Sequence, residues 1–344
     1  MSPPVLCALS GGVDSSVAAA SVVGDGTSAL GVTLLLWAGE RSAKSCSTAD
    51  ADAARAAADR LDIDLRVVDW TEQFDRVVVG SFVSAARTGK TANPCLACNR
   101  RFKLDGLVAW ADAHGLETIV TGHYARIADS PDGPVLAHAL DGGKDQTYVL
   151  WEATPDQLSR YRFPLGGLSK NEVRARADDL GLPAAHAAES QDLCFSRAGV
   201  LEASGGVRRV PVVDGEDGPV VGEAPVELVT VGQRRGLDVA LGDRRYVIDV
   251  SETRVVLGRA EDLRTGTMAL DGVRLHAPTL YEHAEGLQTR CSAHGPLADA
   301  TVDIDDTAGT AKVRWHRPQR RIAPGQAVVV YDTAGHVVAG GYAT

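Results

Sequence analysis

Through the first 200 residues, short uninterrupted apolar runs alternate with stretches of helical character. Val5–Leu9 is one such run, closed by a glycine turn, as a strand buried on both faces should be. A helix is predicted over Ser16–Val23, stopping at Gly24, then a strand over Ala29–Leu36, an Ala-rich helix over Asp50–Leu61 and a strand over Leu65–Val68. Phe74–Ala86 and Phe102–His114 read as further helices, the second halted by Gly115, and Thr118–Thr121 reads as a short strand running into Gly122-His123. Strands separated by helices of this length predict an α/β fold with a doubly wound parallel sheet.

Beyond residue 200 the texture changes. Val210–Val213, Val226–Val231, Tyr246–Val250, Arg254–Leu257 and Val328–Tyr331 are short Val-rich runs punctuated by Gly, Asp and Pro. This predicts antiparallel β structure, divided between a small central domain and a C-terminal β-barrel. The expected organisation is an α/β domain over residues 1–200, a central β-rich domain over 201–265 and a barrel over 266–344. The 281–310 stretch is weakly patterned and yields no element.

No apolar run reaches the roughly 18 residues that a membrane span needs, so no membrane association is expected. The opening MSPPVLCALSGG lacks a basic segment followed by an apolar core and a cleavage site. A cytoplasmic location is expected, with the six cysteines starting as thiols. A net charge of −10 argues at first against nucleic acid. The arginines are grouped, however: Arg100–Arg101 with Lys103, Arg208–Arg209, Arg234–Arg235, Arg244–Arg245, and Arg314, Arg317, Arg320 and Arg321. Any one pair reads as a solvated face; several together in the back half predict a local basic surface on an acidic protein.

The strongest chemical signal is Ala8-Leu9-Ser10-Gly11-Gly12-Val13-Asp14-Ser15-Ser16, between the first strand and the first helix. Two glycines let the backbone turn sharply and approach a ligand, while hydroxyls and helix N-terminal N–H groups face one point. That suits a polyphosphate. The phosphate loop of kinases would need Lys-Ser/Thr after the second glycine, and it is absent. Ser10–Ser15 instead resembles the pyrophosphate loop of ATP pyrophosphatases, which cleave ATP between its α and β phosphates and adenylate an oxygen. In that family the residue matching Asp14 helps hold the magnesium-bound pyrophosphate.

Cysteines give the second signal. Asn93-Pro94-Cys95-Leu96-Ala97-Cys98-Asn99-Arg100 precedes a helix with basic residues in its first turns, and Glu189-Ser190-Gln191-Asp192-Leu193-Cys194-Phe195 lies near the end of the α/β region. A thiol with an ordinary pKa is only a few per cent ionised at neutral pH, so a nucleophile needs help. Cys98 has it from Arg100, Arg101, Lys103 and a nearby helix start. Zinc is the rival reading of Cys95-x-x-Cys98, but a closed site needs two further ligands and no second CxxC exists, so no metal site is assigned. Cys7 reads as a core residue; Cys46 and Cys291 carry no assignment.

SGGVDSS, NPCLACN, TGHYAR, GGKDQTYVL, SQDLCF, VGQRRGL and APGQAVVVYD follow one another in an order that resembles the bacterial tRNA-specific 2-thiouridylases over effectively the whole chain. The resemblance implies ATP, with Mg2+, bound by Ala8, Leu9, Ser10, Gly11, Gly12, Val13, Asp14 and Ser15, with Leu34 and Gly122 framing the adenine and ribose. It implies a persulfide on Cys194, received from a sulfur-donor protein, and Cys98 as the nucleophile that pairs with it in a Cys98–Cys194 disulfide. His123, Lys144, Asp145, Gln146 and Gln326 match positions that contact tRNA, and the residues from Asn93 onward match those meeting a flipped base. The β domains would grip the tRNA by backbone and shape. Three positions depart from the family: Cys95 stands where Asp is common, Glu223-Ala224-Pro225 replaces a His-Gly pattern, and Arg290-Cys291-Ser292 stands where Arg-Tyr is usual. The implied activity is 2-thiolation of the wobble uridine, in which adenylation turns a poor leaving group into AMP before the persulfide attacks. A pyrophosphate-loop enzyme that activates a carboxylate or thiolates a small molecule is the alternative; it would not need both cysteines and two β domains. A non-catalytic nucleotide-binding module is a third, which measurable release of AMP and pyrophosphate would exclude.

Overall fold

The computed structural model describes residues 4–37, 48–185, 193–237, 239 and 241–344. A five-stranded parallel sheet runs in the order β3 (Asp64–Asp69), β2 (Ala29–Leu35), β1 (Val5–Ala8), β4 (Ile119–Val120), then Tyr161–Arg162 at the far edge. Strand β1 lies at the centre, where Leu6 and Cys7 are almost wholly buried on opposite faces, matching its unbroken apolar run. The first helix, α1 (Val13–Gly24), packs its small residues Ala18 and Ala19 against one face of the sheet. The predicted doubly wound sheet is therefore present.

The helices at 71–87 and 94–113 are longer than their sequence patterns suggest. Each is helical throughout but widens into a π-helical segment, at Asp75–Val79 and Asn99–Gly106. Pro94 at the first helical position and Asn93 as N-cap, accepting from the Cys95 N–H at 3.0 Å, start the second helix before both cysteines. An unforeseen hairpin, Arg126–Ser130 with Gly133–Ala137, projects after β4.

The central sheet comprises Arg209–Asp214, Val220–Pro225, Tyr246–Val250 and Val255–Gly258. Its Arg209–Asp214 and Val255–Gly258 strands pair in parallel, whereas the sequence predicts antiparallel pairing only. The run Val226–Val231 is not a strand: Val226–Leu228 forms a 3-10 turn, because Glu227 turns inward to hold the Arg208 guanidinium at 2.8 Å. Six strands then close a barrel: Arg264–Leu275, Leu287–Arg290, Ala298–Asp305, Thr310–Arg320, Ala327–Asp332 and Val337–Ala343. Two of them occupy the 281–310 stretch that the pattern leaves unassigned. Among the described residues no helix is long and apolar enough to cross a membrane.

Candidate active site

Four segments converge at the end of β1. The backbone leaves Ala8 through buried Leu9 and exposed Ser10 and turns at Gly11, where φ is +75°. A Cβ at Gly11 would also lie 2.6 Å from the Asp50 carbonyl oxygen, so only glycine fits. Gly12 is the N-cap of α1 and supplies no side-chain acceptor, which leaves the leading N–H groups of the helix for an external anion. The loop braces itself: the Ser10 N–H donates to Ser15 Oγ at 3.1 Å, and the Ser15 and Ser16 hydroxyls donate to the Gly12 carbonyl at 3.0 and 2.9 Å. Gly122, just past β4, presses so closely that a Cβ there would sit 2.6 Å from the Ser15 nitrogen. These features, including the Val13–Asp14 start of α1, make a cradle that fits a polyphosphate.

Asp14 is held from two sides. The Tyr124 hydroxyl donates to Oδ1 at 2.8 Å, and Lys170 Nζ approaches Oδ1 and Oδ2 at 2.7 and 2.8 Å. Lys170 is only 8% exposed. It opens the helix Lys170–Asp179, fixed by a Ser169–Glu172 capping box, and its N–H donates to Asp141 Oδ2 at 3.0 Å. Sequence reasoning missed this residue. The Ser169-x-x-Glu172 box marks a helix start, but nothing local says that its first residue reaches the loop.

His123 follows Gly122 and lies buried between the sheet and the cysteine helix. Asn99 donates from Nδ2 to the Cys95 carbonyl at 2.8 Å, which turns its Oδ1 toward His123 Nε2 at 3.2 Å. Nε2 must then carry the proton, and Nδ1 accepts from the Thr121 hydroxyl at 2.8 Å. Burial, reinforced by Lys103, pushes the imidazole pKa down to about 3, so the ring is neutral near pH 7. Its side chain is thereby engaged with the cysteine helix. Gln146 is pinned to the same segment, its N–H and Oε1 bonding the Tyr124 carbonyl and N–H at 2.8 and 2.9 Å.

Cys98 and Cys194, distant in sequence, pack against one apolar cluster containing Phe74, Phe82, Phe102 and Phe195. Leu34 of β2 touches both this cluster and the core that includes Leu6 and Val32. Both thiols are half-buried. Of the basic residues beside Cys98, Arg100 is spent on Asp105 at 3.4 Å and the Glu152 carbonyl at 3.0 Å, and Arg101 also lies near Asp105. Cys95 is exposed, yet the surrounding protein raises its thiol pKa, with Lys103 opposing. Burial pushes the Cys7 and Cys291 thiols up to about 12, which disfavours their thiolates near neutral pH. Cys46 and Glu189–Asp192 lie outside the described residues. Among the described residues no three His, Cys, Asp or Glu side chains gather as a metal site.

The segment carrying Lys144, Asp145 and Gln146 is largely a docking ridge for the barrel. Asp145 is 5% exposed and accepts from Arg290 at 2.5 Å, the Ala139 N–H at 2.9 Å and Thr147 at 2.7 Å, with His138 Nδ1 at 3.2 Å. Burial would raise its pKa, but hydrogen bonds from His138, Ala139 and Thr147 prevail and hold the carboxyl below the usual range. Tyr148 reaches the Ala327 carbonyl at 3.0 Å, and Thr147 lies 3.1 Å from the Tyr331 hydroxyl. Lys144 is half-buried beside this ridge. Gln326, in the barrel, donates to the Thr91 carbonyl at 2.5 Å.

The arginine groups divide. Arg208, Arg245 and Arg314 pair with Glu227, Asp214 and Asp303, while Arg320 and Arg321 bond the carbonyls of Gly232 and Ile248 and join barrel to central sheet. Arg234, Arg235, Arg244 and Arg317 are exposed.

Residues 3–198 match the family described as tRNA methyl transferase HUP domain, and residues 266–342 the family described as aminomethyltransferase beta-barrel domain. The chain is 40% identical to a tRNA-specific 2-thiouridylase MnmA from Saccharopolyspora erythraea, over 98% of this chain and 97% of that protein. It is 39% identical to the MnmA of Mycobacteroides abscessus and 38% identical to that of Roseiflexus castenholzii, covering 98% of each chain in both comparisons.

Proposed function

The chain belongs to the tRNA-specific 2-thiouridylase family, and from that premise we propose that it thiolates the wobble uridine of tRNA at C2 at the expense of ATP. The observation that carries this reading is the packing of Cys98 and Cys194 against one aromatic cluster, which Leu34 links to the sheet that presents the Ser10–Ser15 loop. A uridine C2 carbonyl needs activation and a sulfur source, and a pyrophosphate-type loop together with two cysteines on one cluster supports both halves of that reaction.

The geometry supports the following roles. The N–H groups at the start of α1 receive the phosphates, Asp14 is the carboxylate that would hold Mg2+, and Lys170 offsets the charge of the departing pyrophosphate. Magnesium, when bound, would neutralise phosphate charge and orient the chain of phosphates. The uridine O2 attacks the α-phosphorus and pyrophosphate leaves. The terminal sulfur of a Cys194 persulfide then attacks C2, and AMP departs with the O2 oxygen. The Cys98 thiolate attacks the Cys194 sulfur; the sulfur–sulfur bond to the base breaks with its electron pair on the base, giving 2-thiouridine and a Cys98–Cys194 disulfide. A thiol reductant restores the enzyme, and a sulfur-donor protein reloads Cys194. The exposed Arg234, Arg235, Arg244 and Arg317 supply phosphate contacts, and the target base is flipped to reach the site.

Incubation with tRNA, ATP, magnesium and a sulfur donor should retard the tRNA on a mercury-containing gel. Unretarded tRNA with full ATP turnover would overturn the reading.

A further inference from the structure

Thr91 is held at the meeting point of all three parts of the chain. Its N–H donates to the Pro324 carbonyl at 2.8 Å, and its own carbonyl accepts from Gln326 Nε2 at 2.5 Å. Both backbone groups are thus fixed by one turn of the barrel, between Thr310–Arg320 and Ala327–Asp332. Its hydroxyl donates to Thr230 Oγ1 at 3.3 Å. Thr230 in turn belongs to the central part, and it opens the tight turn that displays exposed Arg234 and Arg235. That turn is closed by the Gln233 N–H donating to the Thr230 carbonyl at 3.0 Å and the Thr230 N–H donating to Gln233 Oε1 at 3.1 Å.

Two residues after Thr91, Asn93 caps the helix that bears Cys98. Only Ala92 separates Thr91 from Asn93, a span of two planar peptide units, so a displacement at Thr91 has a short path to the cap. That cap is the first support of the helix, and Asn99, one residue beyond Cys98, ties the same helix to His123 beside the nucleotide loop. The cysteine helix is therefore secured at one side by the ATP-binding sheet and at the other by the two β parts.

We propose that Thr91 is a positioning residue through which engagement of RNA by the barrel and central turns sets the Cys98 helix for sulfur transfer. The proposal rests on the tRNA thiolation reading and adds to it a route from the RNA-facing turns to the nucleophile. Its physical basis is that reacting groups tolerate little misplacement, about 1 Å costing on the order of a hundredfold in rate.

The test uses Thr91→Val, which removes the hydroxyl and keeps the shape, and Thr91→Ser, which restores it. Three quantities are measured: tRNA affinity, kcat for thiolation, and the rate of Cys98 alkylation by iodoacetamide with and without tRNA, followed by peptide mass spectrometry. Thermal midpoints check that each variant is folded. Thr91→Val should bind tRNA within about twofold of wild type, lose about three- to tenfold in kcat, and lose most of the tRNA-dependent change in Cys98 alkylation. Thr91→Ser should recover both. Thr230→Val should reproduce the defect, and the double variant should be no worse than either single one, since all three remove the same bond. A Thr91→Val protein with wild-type kcat and an undiminished alkylation response overturns the proposal; so does a loss of tRNA affinity that accounts for the whole rate defect. Wild-type protein that thiolates no tRNA would sink the parent reading instead, and the alkylation response would still decide the role of Thr91.

Discussion

Lys170 reaches Asp14 from 156 residues further along the chain, and the contact is local to neither residue's own segment. That is why the loop's serines and glycines are legible in the sequence and its cation is not: the former are contiguous, whereas the latter arrives by tertiary packing. Lys170→Met should weaken binding of ATP and pyrophosphate at least about tenfold, about 1.4 kcal/mol, while leaving AMP binding little changed; calorimetric titration of the three ligands checks it. Asp14→Asn should slow thiolation by a similar factor or more, and ADP as the main product would refute the pyrophosphate-loop assignment. At the cysteines, Cys194→Ser should fail to acquire the persulfide, whereas Cys98→Ser should acquire it and stall, a difference intact-mass measurement reads directly. Cys95→Ser should be mild, within about tenfold, because Cys95 is exposed and its raised pKa disfavours the thiolate.

At the scale of elements, the segment after Gly143 makes contacts that its motif alone does not announce. The family resemblance matches Lys144, Asp145 and Gln146 to tRNA-contacting positions; within the fold, Asp145, Thr147 and Tyr148 also face the barrel and meet Arg290, Tyr331 and the Ala327 carbonyl. Arg290→Ala would strand a buried carboxylate and should cost about 3–5 kcal/mol, seen as a lowered urea midpoint. Because the Asp145 pKa lies below its unfolded value, the stability it gives is complete above the ordinary carboxylate range. It is lost as pH falls through the depressed value, so barrel docking should loosen in acid. A pH titration of tryptophan fluorescence in wild type and Asp145→Asn checks this, the variant showing the smaller change. The barrel strands at Leu287–Arg290 and Ala298–Asp305 escape a sequence reading for a related reason. The first buries Thr289 and Arg290 rather than apolar residues, and the second relies on Ala300 and Val302 amid aspartates. The parallel sheet, by contrast, is legible because strands such as β1 are buried on both faces and read as unbroken apolar runs.

Across the whole molecule, the acidic net charge and the exposed arginines make opposite demands on an RNA ligand. Phosphate contacts at Arg234, Arg235, Arg244 and Arg317 should make tRNA binding fall steeply with salt; Arg234→Glu with Arg235→Glu should weaken it and flatten the slope without altering ATP affinity. Filter binding across a salt series decides, and indifference to salt would refute a basic grip. The barrel's closure has a further consequence. Its last strand, Val337–Ala343, pairs with both the first strand, Arg264–Leu275, and Ala327–Asp332, and the Ala343 N–H bonds the Gln326 carbonyl. On the ribosome, the nucleotide loop, β1 and α1 emerge before the barrel, and the ring of strands cannot shut until residue 343 has left the exit tunnel. Arg290 and Gln326 reach their seats only then. A nascent chain can thus assemble its nucleotide loop, and pack its cysteine helix on the sheet, before the Gln326–Thr91 contact that braces the approach to that helix is able to form.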